Sequence, residues 1–331
     1  MSRAVGYSRN GPPLDVAEIR TYEIASPGPG EAIVQVEAAP IHLADLFYMD
    51  GKLANLASPP PAISGIEGFG RIVEIGDRVT GFGVGDRVLL PRRSGTFTEF
   101  MRLSADRLIK APDHGDPVQL SLVPVNAATS HILLTRVVPM RPGDWLIQNA
   151  ANSSCGRFNI GIARELGLRT VNVVRRPDLI PELQALGADI VLLDGDDLDG
   201  RVGAATGGAP MPFAIDAVAG MATARLARCL SQGGTIVSYG MMSGEPCMIP
   251  PDLLFTMNLT LKGFLTPHYE TDMTWDDKVA IAQQLALAVA DGRLKAKIAA
   301  TYPLDRFKDA IRHEMETGQQ RDGKVVLLPN A

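Results

Sequence analysis

The apolar positions along this chain fall into two textures. Between residues 30 and about 110 they come in short runs, at 32–37, 70–75, 87–90 and 96–103, separated by Gly- and Asp-bearing turns such as 81–86. Short strands broken this often predict a compact, β-rich, barrel-like domain. Near residue 118 the texture changes. Apolar strands at 144–147, 170–174, 190–193, 213–216 and 234–239 now alternate with helical patterns at 158–167, 180–187 and 222–230. That alternation predicts a parallel sheet covered by helices on both faces. Beyond about 268 come a helix at 275–290, a basic segment at 293–297, a helix at 304–316 and a strand at 324–328. This tail is expected to return to the first domain. The expected division is 1–117 with 268–331 as a discontinuous domain, and 118–267 as an insertion.

Between the strand at 144–147 and the following helix lies Gln-Asn-Ala-Ala-Asn-Ser-Ser-Cys-Gly, residues 148–156. Strand, turn, helix, strand is the unit that presents helix N-terminal N–H groups to a pyrophosphate. Of the glycines in the usual G-x-G-x-x-G turn only Gly156 is present, so an ordinary strand-to-helix turn is the alternative. The second strand ends in Arg175-Arg176. An NAD site usually places a carboxylate there for the ribose 2′-hydroxyl, whereas two guanidinium groups favour a 2′-phosphate and hence NADP(H).

Composition narrows the classes. A length of 331 residues predicts about two domains, and 46% hydrophobic residues allow a sizeable core. The formal net charge of −5 gives no electrostatic reason to expect nucleic acid or a membrane as partner. No run approaches 18 apolar residues, and the polar stretch 1–10 has no signal-peptide core, so a cytoplasmic location is expected. Cys155, Cys229 and Cys247 are odd in number and lack C-x-x-C spacing, so no disulfide framework or cysteine-rich zinc site is predicted. Cys155 reads as a small turn-filling residue rather than a nucleophile, because no base lies near it in sequence.

The strings Val-Asn-Ala-Ala-Thr (125–129), Leu-Ile-Gln-Asn-Ala (146–150), Asn152-Ser153, Leu-Gly-Leu-Arg-Thr-Val-Asn-Val-Val-Arg (166–175), Leu-Gly-Ala (186–188) and Leu-Lys-Gly-Phe (261–264) carry a resemblance. Together with the domain order they resemble the zinc-independent medium-chain dehydrogenase/reductase superfamily. The chain is most similar to its mitochondrial-type NADPH-dependent 2-enoyl thioester reductases, with the quinone oxidoreductase branch next. The resemblance implies an α/β fold, a doubly wound Rossmann sheet inserted in a GroES-like catalytic domain. It also implies a set of cofactor contacts: Asn126 near the nicotinamide, Asn152, Ser153, Ser154, Cys155 and Gly156 along the pyrophosphate turn, and Arg175 and Arg176 on the 2′-phosphate. Tyr239, Gly240, Met241 and Met242 after the fifth strand, and Phe264 and Leu265 after the sixth, would pass the nicotinamide half. Lys324 would match a C-terminal cofactor lysine. Each has a plainer alternative: Asn126 as a helix cap, Tyr239 as a core aromatic, Lys324 as a solvated strand residue.

Family members that hold zinc carry a histidine where this chain has Ile66 and a cysteine where it has Ile41, so no metal is expected. The family's proton donor is a tyrosine two residues after a glycine, and alignment on Asp45 and Gly51 puts Leu53 there. Reduction of an enoyl thioester, enone or quinone needs hydride at one carbon or oxygen and a proton at another. Tyr48, His42 or water remain as proton sources, with packing as the alternative for Tyr48 and a structural role for His42. An NADPH:quinone oxidoreductase and a catalytically silent NADPH-binding regulatory protein are the other readings. The apolar segment 253–257 with 259–264 is expected at a sheet edge, where pairing with a second copy would give a homodimer.

Overall fold

A computed structural model describes residues 1–331. Its internal contacts divide the chain into two compact units, 1–128 with 275–331, and 129–274.

The first unit is organised on the long strand Glu31–Pro40, whose alternate residues Ala32, Val34 and Val36 are fully buried. It pairs antiparallel with Phe69–Ile75, Phe100–Ser104 and the C-terminal strand Lys324–Leu328. Arg87–Leu89 and Ile109–Lys110 extend the sheet on one side and Ile298–Pro303 on the other. A smaller sheet joins Glu18–Tyr22, Ser2–Tyr7 and Ala62–Ile63. One apolar core collects Val34, Val36, Ile72, Val88, Phe97 and Val325, together with Leu46 and Met49 from the helix Leu43–Asp50. That helix starts where the Asp45 carboxylate accepts from the His42 backbone N–H at 2.8 Å, and stops at Gly51 in the left-handed region, φ +86°. The strand expected over 96–103 begins only at Phe100. Residues 96–99 bond instead to other segments, Phe97 N–H donating to Ser64 O and Val5 N–H to Phe97 O. The helix expected over 304–316 opens as the 3₁₀ turn Leu304–Arg306 before Phe307–Met315.

The second unit holds a six-stranded, wholly parallel sheet. In space the order is Ile190–Leu193, Arg169–Val174, Trp145–Gln148, Phe213–Asp216, Thr235–Ser238, Thr260–Gly263. Numbered along the chain this is third, second, first, fourth, fifth, sixth, the doubly wound dinucleotide-binding order. Two cores show the double winding. Val171 and Val173 pack with Leu198, Val202, Leu226 and Ala227, from helices Leu198–Thr206 and Met221–Arg228. Val174 and Val191 pack with Ile160, Leu179 and Leu183, from helices Ser154–Glu165 and Leu179–Leu186. Residues 253–257 do not join the edge. They fall largely in the helix Pro251–Thr256, which has proline at its start and Asp252 in its first turn, both strong N-terminal signals. The edge strand itself is Thr260–Gly263, exposed along its whole length.

A buried amide network lies under the first strand of this sheet. Gln148 Nε2 donates to Asn172 Oδ1 at 2.7 Å and to Gly156 O at 2.9 Å, and its Oε1 accepts from Asn159 Nδ2 at 2.9 Å.

Candidate functional site

In the second unit, the turn after Trp145–Gln148 is built for close approach. Ser153 is the N-cap of Ser154–Glu165, and its hydroxyl accepts from Gly156 N–H at 3.1 Å. A Cβ on Gly156 would stand 2.7 Å from Ala151 Cα, so the helix can sit this close to the turn only with glycine there. Arg157, almost wholly buried, donates through Nε to Asn152 O at 3.0 Å and holds the turn from behind. Asn152, Ser153 and Ser154 are half-buried and Cys155 is buried. None of the three cysteines forms a disulfide.

Tyr239 reaches this turn. Its phenol hydrogen-bonds with Ser153 and Cys155, and burial raises its pKa well above the ordinary phenol value. Half-buried and bonded to the turn, Tyr239 is no simple core aromatic. Gly240, Met241 and Met242 follow it, with Met242 N–H bound to Ala217 O. Phe264 N–H donates to Ser238 O, and the Phe264 ring stacks on Tyr269 with centroids 5.0 Å apart. Leu265 precedes a short 3₁₀ turn. Arg175 is exposed and Arg176 half-buried just past the strand Arg169–Val174, Arg176 lying 3.6 Å from Asp178. The turn, Tyr239 and the two arginines thus belong to one sheet end.

The remaining sequence-predicted residues lie in the first unit. Asn126 sits in a π-helical turn, Val123–Ala127, and donates from Nδ2 to Glu67 Oε1 at 2.5 Å. His42 Nε2 is 2.6 Å from the same oxygen, and Val125 N–H donates to Glu67 Oε2 at 2.7 Å. Glu67 is completely buried. The sequence reading missed it, although an acidic residue inside an apolar, glycine-flanked run was a signal. Asp45 is also buried, and burial pushes its carboxyl up to about 6 against the opposing charges of His42 and Lys324. Lys324 opens the C-terminal strand, half-buried rather than fully solvated. At the two positions discussed for zinc stand Ile41 and Ile66, both buried aliphatic side chains. No group of three or more His, Cys, Asp or Glu side chains is arranged to hold a metal.

Tyr48 does more than pack. It lines a small cleft, open to solvent, together with Tyr7, Asp45, Ser64, Ile66 and Arg93. Burial raises the pKa of its phenol, partly offset by the charge and hydrogen bond of Arg93. Leu53 lies in the turn beyond Gly51 and is not part of the cleft wall.

Known proteins place this geometry. The alcohol dehydrogenase GroES-like domain matches residues 28–113 and the zinc-binding dehydrogenase domain residues 186–327. The mitochondrial enoyl-[acyl-carrier-protein] reductase of Xenopus tropicalis is 33% identical over 320 residues, 94% of this chain and 91% of the relative. The human enzyme of the same name is 32% identical, over 95% of this chain and 86% of its own length. Among solved structures, a Bacillus thuringiensis protein provisionally assigned as an NADPH:quinone reductase superposes with a TM-score of 0.89 at 26% identity, covering 99% of this chain and 98% of its own. The complex of Etr1p with NADP and crotonyl-CoA gives 0.87 at 24%, covering 99% of both chains, a likeness of fold.

These relatives correct the expected cytoplasmic location. They are mitochondrial proteins, and the composition of a folded domain carries no address by which to separate two aqueous compartments. No helix is long and apolar enough to cross a membrane. With relatives above 30% identical along more than nine-tenths of its length, the chain belongs to the medium-chain dehydrogenase/reductase family, among the mitochondrial-type 2-enoyl thioester reductases.

Proposed function

We propose that the protein is an NADPH-dependent reductase of an activated C=C bond, with a 2-enoyl thioester as substrate, hydride going to the β-carbon and a proton to the α-carbon. The observation that carries this reading is the turn at 148–156, with Arg175 and Arg176 at the end of the next strand, in a chain whose relatives are named for enoyl reduction. The second unit is the cofactor-binding domain and the first the catalytic domain. NADPH, when bound, supplies the hydride. The N-terminal end of Ser154–Glu165 takes the pyrophosphate, and the guanidinium groups of Arg175 and Arg176 take the 2′-phosphate.

On the substrate side, Tyr48 is the proton donor. Its raised pKa keeps the phenol protonated throughout the neutral range. His42 is the weaker candidate, because its Nε2 is already committed to Glu67. The protein assembles as a homodimer through the exposed edge strand Thr260–Gly263, beside which Phe255 is 73% exposed.

Leu53 supports a second reading. With no acid at the family's usual position, a quinone, whose reduced oxygens take protons from water, places a smaller demand on the site.

NADPH oxidation with crotonyl thioester, quinones and enones, alongside calorimetry of NADPH and NADH, separates the readings. Turnover of the thioester and NADPH binding at least about tenfold tighter than NADH are expected, the worth of a charge-assisted contact. Turnover of quinones alone would move the assignment to the second reading. NADPH binding without any turnover would mark a regulatory protein.

A further inference from the structure

Arg157 lies in the first turn of Ser154–Glu165 with only 6% of its surface exposed, so it acts on a bound molecule through what it holds and not by touching it. Its Nε donates to Asn152 O at 3.0 Å, and its Nη2 donates at 2.6 Å to Glu182 Oε1 on the helix Leu179–Leu186. That helix follows Arg175-Arg176 closely, Leu179 N–H donating to Arg176 O at 3.3 Å. The ion pair therefore ties the turn after the first parallel strand to the segment after the second.

The peptide that Arg157 holds is fixed at both ends. Its carbonyl, Asn152 O, is taken by the guanidinium, and its N–H, that of Ser153, donates to Ala150 O at 2.9 Å. Ala150 has φ +45°, in the left-handed region that a residue with a side chain enters at a cost. Glycine is the ordinary solution at such a position, and in a dinucleotide turn glycines supply both the sharp bend and the close backbone approach. In this chain an alanine keeps the left-handed conformation, and the bonds that close 150–153 hold it there.

We infer that Arg157 is a positioning residue for the dinucleotide: it stands in for the missing glycines, holding the strained turn 150–153 in the shape that takes the pyrophosphate, with the Asn152 carbonyl directed at the buried guanidinium and not at the anion. Resting on the cofactor reading above, this gives Arg175 and Arg176 the discrimination between NADP(H) and NAD(H), and gives Arg157 the affinity for the part the two share.

Calorimetry with NADP⁺, NAD⁺ and adenosine 2′-monophosphate, which has the 2′-phosphate but no pyrophosphate, tests it. Arg157→Gln is expected to weaken both dinucleotides in the same proportion, about tenfold or more, the worth of a charge-assisted bond, and to leave the monophosphate within about twofold. Arg157→Lys keeps the charge but loses the Nε donor beside Asn152, so it recovers only part of the loss. Ala150→Gly removes the strain that the guanidinium offsets, and in the Arg157→Gln background it is expected to restore affinity several-fold. Glu182→Gln, at a partly exposed side chain whose replacement leaves the fold intact, is expected to weaken both dinucleotides several-fold. Unchanged dinucleotide affinity in Arg157→Gln, full recovery in Arg157→Lys, a parallel loss of the monophosphate, or no recovery with Ala150→Gly would overturn the inference while leaving the cofactor reading in place. A wild-type protein that binds neither dinucleotide defeats the cofactor reading itself, and the inference with it.

Discussion

His42 Nε2 stands 2.6 Å from Oε1 of Glu67, a carboxylate with no exposed surface. The same oxygen takes the Asn126 amide, and the other takes Val125 N–H, so one buried charge ties the start of the helix Leu43–Asp50 to the π-helical turn 123–127. Glu67→Gln keeps the shape but sets an amide NH₂ among donors. Removing one partner of a buried charge network costs about 3 kcal/mol or more, so thermal unfolding of this variant is expected several degrees below wild type. An unchanged Tm would show that the network contributes nothing to stability.

Tyr48→Phe removes the proposed acid while preserving the ring. Turnover on crotonyl thioester should fall by about 100-fold, the low end of what a positioned general acid contributes, with NADPH affinity unchanged. Because the phenol pKa is raised, wild-type activity should show no alkaline loss from this group until above the ordinary phenol range. Unchanged turnover in the variant would remove Tyr48 from the reaction.

Asp45 gives a pH dependence of defined sign. Its carboxyl is raised by burial from 3.8 to about 6, so the folded protein binds its proton more tightly than the unfolded chain does. The stability from that proton is fully present below about pH 4 and is lost as pH rises through about 6. About two units at about 1.4 kcal/mol each make roughly 3 kcal/mol. Urea unfolding at pH 4 and pH 7 should therefore show wild type losing stability relative to Asp45→Asn by up to that amount. A difference between the two proteins that does not change with pH would refute this.

The edge strand Thr260–Gly263 is exposed and parallel to its single neighbour. Leu261, 42% exposed, is a suitable place for a charge. Leu261→Lys is expected to halve the mass seen by light scattering with the circular dichroism unchanged, since charges on an edge block pairing. An unaltered mass would place the assembly surface elsewhere.

Much of this was legible in the chain. The strands of the second unit, its helices Ser154–Glu165, Leu179–Leu186 and Met221–Arg228, and the basic pair 175–176 announce themselves through local periodicity and position, whereas the helix Leu198–Thr206, which carries Gly200 and Gly203 and little apolar periodicity, does not. Three other things were not legible. Glu67 meets His42 across 25 residues and Asn126 across 59, and no local pattern encodes such a meeting. Arg157 and Ala150 become notable only once burial and backbone angles are known. Residues 253–257 form a run short enough for strand or helix, and the prolines before it decide for helix.

The amide network under the first parallel strand also constrains how the sheet assembles. Asn172 lies opposite Gln148, while its neighbours Val171 and Val173 face the other helical layer. A slip of one residue would turn Asn172 into that apolar layer and strand Gln148 without its acceptor, at about 1–3 kcal/mol for each orphaned amide. The network is therefore a proofreading device for strand pairing. A chain that pairs its two central strands one residue out of step loses these bonds within the sheet itself.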